Sequence, residues 1–225
     1  MSSISNVESC VSELLSRDDS GHDMDHINRV LHLSLKFAEG EDADKELVAL
    51  VALLHDVDDY KLFGENHAQH FTNTRKIMHV CNIDEGIQRK VEQSIREIGY
   101  DKRLGQKAPV TLTGKIVSDA DMCDSMGAVG IIRTHTFGIK HNRPFFNRNV
   151  FPRDNLDAAA YKNQSTSTSV CHYFEKILNL KSLMLTEPGR REAEKRHHFA
   201  VEFLKHFFEE ENAPEWLELL RKYET

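Results

Sequence analysis

Cysteine is scarce in this sequence of 225 residues, which has four cysteines: Cys10, Cys81, Cys123 and Cys171. No two of them are separated by the two residues that are typical of a CxxC metal or redox pair. Their wide spacing predicts neither a disulfide framework nor a cysteine zinc site. We therefore expect unbridged thiols, as in a protein of a reducing cytoplasm.

Long apolar runs and an excess of basic residues are also missing. The longest apolar run, residues 47–54, is too short to span a bilayer, and the first ten residues do not have the pattern of a signal peptide. The net charge is −7, which argues against tight binding of nucleic acid but allows a local basic pocket for a small phosphate ligand. The sequence thus predicts a cytoplasmic protein with neither nucleic-acid nor membrane partners, and it leaves the oligomeric state open.

Helical periodicity dominates the sequence, and we find no convincing alternation of apolar residues that would indicate a strand. The pattern predicts an all-α, single-domain helical bundle over residues 1–225, with core motifs in 22–135 and C-terminal helices in 168–223. Helices are predicted at residues 5–16, 23–38, 44–57, 66–80 and 84–98, from Pro109 with a break near Gly127 or Gly130, at 169–180, after Thr186 and from Pro214.

Residues 138–166 are the least regular part of the sequence, with two prolines, three arginines and a tract of serine and threonine. We expect a long excursion over one face of the protein. Long loops of this kind are disproportionately functional and often close over ligands.

The most informative local feature is an apolar helix that ends abruptly in His55, Asp56, Val57, Asp58 and Asp59. Burying histidine and aspartate beside a core is costly unless they are paired or bind a metal. On a regular helix the side chains of His55 and Asp56 diverge by about 100°, so they converge only if the last turn departs from regular geometry. The alternative is that the charged pair merely caps the helix.

Two further segments carry candidate residues. His26 lies on the apolar face of the helix predicted at 23–38, where a lone histidine is either a hydrogen-bonded core residue or a ligand. Asp119, Asp121 and Asp124 follow the apolar start of KIVSDADMCD, and three carboxylates so close in sequence repel one another unless cations or donors lie among them. A solvated acidic face is the alternative, which the flanking apolar residues disfavour.

The order of His26, then His55 and Asp56, then Asp121 resembles the HD superfamily of metal-dependent phosphohydrolases. The similarity extends to a subgroup of small single-domain bacterial HD hydrolases, and the segments that carry it are HDMDHINRV, LLHDVDDYK, KIVSDADMCDSMGAVGIIRT and HYFEKILNLKSLMLTEPGRREAEKRHHFAVEFL. The resemblance covers residues 22–208 and implies a helical bundle of the HD-domain type.

The resemblance also implies that His26, His55, Asp56 and Asp121 hold one divalent metal ion. Asp119 is the rival of Asp121 for the last position, and residues two apart on a helix point about 200° apart, so only one of them can face the metal. We prefer Asp121 because it shares a helix face with Asp124. The mixed nitrogen and oxygen set suits Mn²⁺, Ni²⁺, Fe²⁺, Co²⁺ or Zn²⁺, with Mg²⁺ as a poorer fit. Such an ion activates a water for attack on phosphorus.

Other charged residues receive roles by the same resemblance. Asp59 and Lys61 are the catalytic candidates, with Asp59 orienting or deprotonating the attacking water. His67 and His70 are alternative proton donors. The alternatives are an exposed helix-end charge for Asp59 and a solvated helix face for the two histidines. The candidates for phosphate binding are Arg133, Lys176 and Arg196. A surface charge or a structural ion pair explains Lys61 and these three residues equally well.

The resemblance implies hydrolysis of a nucleotide-like phosphate substrate, with (d)NTP pyrophosphohydrolase or phosphohydrolase activity preferred. A nucleoside monophosphate or cyclic nucleotide is the enzymatic alternative. A catalytically weak nucleotide-sensing module is the alternative from another functional class, since the sequence assigns an acid and a base only weakly.

Overall fold

The computed structural model describes residues 3–16, 23–105, 107–153 and 167–224, and the backbone alone of Lys61, Asp101 and Leu104. Within these ranges the chain forms helices and no strand, so the all-α prediction is confirmed. Residues 17–22, between the first two predicted helices, and residues 154–166 of the predicted excursion lie outside the described residues. None of the described helices combines the length and apolar character needed to cross a membrane.

The α-helices of the described residues are α1 Ser3–Leu15, α2 Met24–Ala38, α3 Lys45–Leu54, α4 Tyr60–Phe63, α5 Glu65–His70, α6 Thr72–Val80, α7 Glu85–Arg96, α8 Tyr100–Leu104, α9 Leu112–Asp124, α10 Gly127–Lys140, α11 Ser169–Glu175, α12 Glu187–Glu210 and α13 Pro214–Leu220. Two 3₁₀ segments span Ile177–Leu183 and Arg221–Tyr223. The chain divides into two compact units, Met1–Asp121 and Met122–Thr225. A single domain over residues 1–225 stays a prediction.

Helix α3 is largely buried within the first unit and packs against α1, α2 and α7. All of its residues from Val48 to Leu54 are buried, as expected from a sequence that is apolar on every face. The Asp44 carboxylate begins the helix by accepting hydrogen bonds from the backbone N–H groups of Glu46 and Leu47, both at 3.1 Å. A capped helix whose last seven residues are buried thus leads directly into the histidine and carboxylates that follow it.

The helix predicted at residues 66–80 is interrupted. Helix α5 ends at His70, α6 begins at Thr72, and Phe71 between them has a left-handed backbone with φ of +52°. The Phe71 ring is buried, and the guanidinium carbon of Arg96 lies 4.8 Å from its centroid. Burial and this cation–π contact offset the backbone strain. The prediction of one continuous helix was wrong because these contacts come from outside the helical pattern.

Three other predicted boundaries differ from the structure. The central helix ends at Leu54 instead of residue 57, because the residues that follow form tight turns. Helix α10 continues to Lys140, beyond the predicted start of the irregular stretch. The helix predicted at 169–180 changes to 3₁₀ geometry at Ile177. Ends of helices depend on local capping and packing, which periodicity alone does not encode.

The predicted break in the long helical pattern after Pro109 is confirmed at Gly127. Helix α9 ends at Asp124 and α10 begins at Gly127, whose φ of +70° lies in the left-handed region that favours glycine. A Cβ atom at this position would lie 3.2 Å from Cγ of Arg196. Backbone conformation and a close neighbour therefore both require glycine here.

Helix α12 is the longest helix of the second unit and packs against α10, α13 and the first 3₁₀ segment. The Thr186 hydroxyl begins it by accepting a hydrogen bond from the Gly189 N–H at 3.1 Å, and Pro188 lies in its first turn. Both features are those that the sequence predicts, because proline lacks the N–H that a first turn would leave unpaired.

Aromatic rings surround Trp216 in the second unit. Its side chain is fully buried, and its indole N–H donates a hydrogen bond to the backbone carbonyl of Arg148 at 3.2 Å. Aromatic rings whose centroids lie roughly 5 to 6 Å apart attract one another, and this attraction adds to the stabilisation that comes from burying their apolar surface. Four phenylalanine rings lie 5.1 to 5.7 Å from the Trp216 ring: Phe146, Phe151, Phe174 and Phe208.

His197 on α12 forms a hydrogen bond with the C-terminal 3₁₀ segment. It also makes the free energy of unfolding depend on pH. Its Nε2–H donates to the carbonyl of Tyr223 at 2.8 Å, and burial lowers the pKa of His197 below 6.5 despite that bond. As the pH falls below 6.5, the unfolded chain binds a proton before the folded chain does, so the free energy of unfolding decreases.

We expect the free energy of unfolding to fall more steeply in the wild type than in His197→Gln as the pH is lowered from neutral toward the pKa of the folded state. The glutamine amide keeps a donor for Tyr223 but does not titrate. Urea denaturation of both proteins at several pH values measures the difference. Parallel decreases in the two proteins would show that His197 contributes nothing to the pH dependence.

Candidate metal centre

His26 projects from α2 into the interior of the first unit. The Asp23 carboxylate begins α2 by accepting a hydrogen bond from the backbone N–H of His26 at 2.9 Å, which fixes where the helix starts. With this start, His26 shares the buried face of the helix with Ile27 and Val30, and it is 1% exposed. An imidazole at this depth is stable only with polar partners.

His55 and Asp56 lie in the turn that ends α3. The N–H of Val57 bonds to the carbonyl of Leu54 at 3.4 Å, and the N–H of Asp59 bonds to the carbonyl of Asp56 at 3.0 Å. These bonds span three residues where an α-helix spans four, so the turn is tighter than the helix before it. In this turn the two adjacent side chains converge, with His55 Nε2 3.6 Å from Asp56 Oδ1.

The four side chains that the sequence suggests as metal ligands meet in the first unit. His26 Nε2 lies 3.3 Å from Asp56 Oδ2 and 3.6 Å from Asp121 Oδ1. His55 Nε2 lies 3.9 Å from the same Asp121 oxygen. Ligand atoms of His26, His55 and Asp56 all lie within 4.8 Å of one another. We refer to His26, His55, Asp56 and Asp121 as the HD cluster.

The spacing within the HD cluster fits a shared metal ion. Nitrogen or oxygen ligands at about 2.1 Å from an ion lie about 3.0 Å apart at right angles and about 3.4 Å apart in a tetrahedron. The distances between imidazole nitrogens and carboxylate oxygens in the cluster run from 3.3 to 3.9 Å. Changes of up to about 0.5 Å would bring them to the tetrahedral spacing, and changes of up to about 0.9 Å to the right-angle spacing, which side-chain motion allows.

The imidazole of His55 provides an independent indication of a cation. Its Nδ1–H donates to the backbone carbonyl of Ala52 at 2.8 Å, which orients Nε2 toward the carboxylates of Asp56 and Asp121. Within the part of the chain that the structure describes, this buried Nε2 has no hydrogen-bond partner. A buried ring nitrogen that faces two carboxylates without a hydrogen bond is unfavourable, and a metal cation between them would satisfy all three groups. The residues therefore fit a divalent metal ion.

Sequence similarity decides the family. A profile of the HD domain family matches residues 24–126, which contain the whole HD cluster. The chain is also 30% identical over 199 residues to YpgQ of Bacillus subtilis (strain 168), an alignment that covers 88% of this chain and 89% of that protein. The chain belongs to the HD domain family. The matched residues contain one His-Asp dipeptide, formed by His55 and Asp56.

Solved structures of several bacterial proteins share the fold. A protein from Lactobacillus plantarum is 27% identical, with a TM-score of 0.83 and coverage of 94% of this chain and 97% of that chain. An HD-superfamily hydrolase from Bacillus thuringiensis is 30% identical, with a TM-score of 0.71 and coverage of 93% and 97%. YpgQ in complex with ADP is 25% identical, with a TM-score of 0.68 and coverage of 92% and 94%. These neighbours support a metal-dependent hydrolase in general terms.

The fourth member of the HD cluster comes from α9, where the sequence left two aspartates in competition. The Asp121 carboxylate lies near both imidazoles and its side chain is 27% exposed, whereas Asp119 is completely buried. Residues two apart on a helix point about 200° apart, so the two side chains face different surroundings. The geometry favours Asp121, and the assignment of all four residues as ligands remains a proposal.

Replacing Asp121 with asparagine is expected to weaken Mn²⁺ binding at least about tenfold, because the amide removes a negative charge from the ligand set. Calorimetric titration of the metal-free protein measures this change. Asp119→Asn is the matched control on the same helix, and we expect it to keep its Mn²⁺ affinity. Loss of affinity in Asp119→Asn with none in Asp121→Asn would reverse the assignment.

The predicted catalytic residues lie just beyond the HD pair. Asp59 is half-buried and begins α4, where its backbone carbonyl accepts hydrogen bonds from the N–H groups of Leu62 and Phe63, both at 3.0 Å. The side chain of Lys61 lies outside the described residues. The catalytic roles of both residues stay predictions. No role for Asp58 follows from the sequence, yet its buried carboxylate accepts hydrogen bonds from the start of α6. The sequence signal for it was its position as the first of two carboxylates after the HD pair.

The predicted phosphate-binding residues all lie in the second unit. Arg133 Nη1 donates to Oδ2 of the completely buried Asp124 at 2.7 Å. Arg196 donates to Glu192 Oε1 and to a backbone carbonyl in the last turn of α9, both at 2.8 Å. Lys176 is the residue that follows α11. Both arginines therefore make structural contacts, as the alternative to phosphate binding expects. Phosphate binding by all three residues stays a prediction.

Proposed function

We propose that this protein is a metal-dependent phosphohydrolase that acts on a nucleotide-like phosphate substrate. Its specific form is a (d)NTP pyrophosphohydrolase or phosphohydrolase. The observation that carries the proposal is the HD cluster itself, in which two imidazole nitrogens and two carboxylates converge at 3.3 to 3.9 Å. The buried Nε2 of His55, without a hydrogen-bond partner among the described residues, adds the electrostatic reason for a cation there.

The donor set supports one divalent ion of the Mn²⁺, Fe²⁺, Co²⁺, Ni²⁺ or Zn²⁺ type. Imidazole nitrogen suits these ions, whereas Mg²⁺ prefers oxygen and would use the two histidines poorly. Such an ion would supply Lewis-acid polarisation of a phosphoryl oxygen and a lower pKa for a water molecule. Four protein side chains leave room in a six-coordinate shell for substrate and water.

Asp59 is the proposed group that orients or deprotonates the attacking water. It follows Asp56 by three residues and His55 by four, at the point where the tight turn passes into α4. A carboxylate three to four residues after the HD pair can face the same side of the chain and accept a proton from a bound water. Lys61, one turn further, is the proposed cation for the phosphate charge that develops during the reaction.

A nucleotide-like substrate is supported by the relatives and by the charge of the chain. YpgQ, which aligns with 88% of this chain at 30% identity, has been solved in complex with ADP. The net charge of −7 suits a small phosphate compound better than a long polyanion such as nucleic acid. Among nucleotides, triphosphates are preferred because the motif segments resemble the bacterial subgroup of pyrophosphohydrolases.

A metal-by-substrate screen tests the proposal. Metal-free protein is assayed alone and with Mn²⁺, Ni²⁺, Co²⁺ or Mg²⁺ on nucleoside triphosphates, diphosphates, monophosphates and cyclic nucleotides. We expect metal-dependent cleavage of triphosphates with release of pyrophosphate or phosphate. Cleavage of monophosphates or cyclic nucleotides alone would overturn the triphosphate assignment. Nucleotide binding without cleavage under any metal would identify a sensing module and overturn the enzyme.

A further inference from the structure

The turn that carries the HD pair is held from outside by the start of α6. Asp58 Oδ1 accepts a hydrogen bond from the Asn73 N–H at 2.8 Å, and Asp58 Oδ2 accepts one from the Thr74 N–H at 2.9 Å. In return, Asn73 Nδ2 donates to the carbonyl of Val57 at 2.7 Å. Three hydrogen bonds thus join two segments that lie about fifteen residues apart in the chain. We call this set the Asp58–Asn73 clamp.

Asp58 acts as the capping side chain of a helix to which it does not belong. The residue before α6 is Phe71, which makes no capping hydrogen bond through its side chain and has a left-handed backbone. The first N–H groups of α6 would therefore lack partners without Asp58. A buried carboxylate that accepts two N–H groups at the positive end of a helix makes strong, charge-assisted bonds.

The turn has two backbone hydrogen bonds of its own, and the first of them is weak. This bond, from the Val57 N–H to the Leu54 carbonyl, is 3.4 Å long, beyond the usual range for N–H···O, whereas the bond from the Asp59 N–H to the Asp56 carbonyl is 3.0 Å long. The clamp holds the backbone carbonyl of Val57 and the side chain of Asp58, the two residues directly after Asp56. External bonds of 2.7 to 2.9 Å therefore support the turn at the point where its own first bond is weak.

We propose that Asp58 and Asn73 are positioning residues for the metal centre, which hold the carboxylate of Asp56 and the imidazole of His55 in their converging arrangement through the backbone of the turn. This inference rests on the proposed function, because it assumes that the HD cluster binds a metal. Groups that orient metal ligands without touching the metal are worth about 10- to 100-fold in metal affinity. We expect an effect of that size for Asp58, and a smaller one for Asn73, which provides a single bond to the turn.

The direct test uses Asp58→Asn in the full chain. The asparagine amide keeps the shape of the side chain but presents N–H₂ where one oxygen accepted an N–H, so one of the two bonds to α6 is lost. Asp84→Asn is the matched control, because Asp84 caps α7 by accepting from the N–H groups of Gly86 and Ile87 at 2.7 and 3.2 Å and is exposed. Both variants lose a helix cap, but only Asp58 is connected to the HD turn.

The measurements are the dissociation constant for Mn²⁺, the visible absorption spectrum of the Co²⁺-loaded protein, and the thermal midpoint of the metal-free protein. We expect both variants to lower the thermal midpoint. Only Asp58→Asn should raise the dissociation constant, by about 10- to 100-fold, and change the Co²⁺ spectrum, which reports ligand geometry. An affinity and a spectrum equal to those of Asp84→Asn would overturn the inference.

Asn73→Ser keeps the test decisive if Asp58→Asn does not fold. It removes the bond to the Val57 carbonyl and leaves the backbone N–H groups that bind Asp58. Here too an altered Co²⁺ spectrum is expected and a wild-type spectrum would overturn the inference. If the wild type binds no metal, the proposed function fails together with the inference. If the wild type binds metal and the clamp variants bind it equally well, the inference alone fails.

Discussion

His55→Ala is expected to lower kcat/KM for the preferred phosphate substrate at least about 1,000-fold, because a metal contributes several kcal/mol of transition-state stabilisation. The other three members of the HD cluster cannot replace the nitrogen of His55, since His26 and both carboxylates already face the same point. The assay is steady-state turnover with the best metal found in the substrate screen.

His141→Ala is the matched control for His55→Ala. His141 also has its Nδ1 hydrogen-bonded to a backbone carbonyl, that of Phe137 at 2.9 Å, but it is exposed and lies in the second unit. We expect its turnover to equal that of the wild type. Wild-type turnover in His55→Ala, or an equal loss in both variants, would contradict the role given to the HD cluster.

Trp216→Ala is expected to lower the free energy of unfolding by about 3 to 5 kcal/mol, the usual effect of truncating a fully buried aromatic side chain. The substitution removes the centre of four ring contacts and leaves the carbonyl of Arg148 without its indole donor. Because a domain of this size is stable by only about 5 to 15 kcal/mol, the loss is a large fraction of the total. Urea denaturation followed by far-ultraviolet circular dichroism measures it.

Phe151→Ala provides the comparison for Trp216→Ala. Phe151 stacks on the Trp216 ring at 5.1 Å but is 51% exposed, so its removal opens little cavity. We expect a loss of about 1 kcal/mol for this variant. A loss for Trp216→Ala no larger than that for Phe151→Ala would show that the aromatic cluster does not stabilise the second unit as described.

Capping residues and apolar periodicity predict most of the helices from the sequence. The start of α2 after Asp23, the start of α12 after Thr186 and the break at Gly127 all depend on local chemistry that the sequence displays directly. The interruption at Phe71 is different. It depends on burial of the ring and on Arg96, a residue of another helix, so no local pattern could reveal it.

The same division applies to the candidate site. The order of the four residues of the HD cluster is visible in the sequence, but the choice between Asp119 and Asp121 needed the side-chain geometry. The role of Asp58 was not predictable, because its partners begin a helix fifteen residues later. The sulfur atoms of Cys10 and Cys81 lie 3.9 Å apart without a disulfide bond. Because the two residues are distant in sequence, the periodicity of the sequence could not show this proximity either.

The metal content of the full chain tests the central claim most directly. Wild type and His55→Ala are each saturated with Mn²⁺, passed through a desalting column and analysed for metal and protein. A site formed by the HD cluster predicts about one ion per chain in the wild type and a large loss in His55→Ala, whose ligand set lacks one imidazole. Equal metal content in the two proteins would contradict the claim that His26, His55, Asp56 and Asp121 form a metal centre.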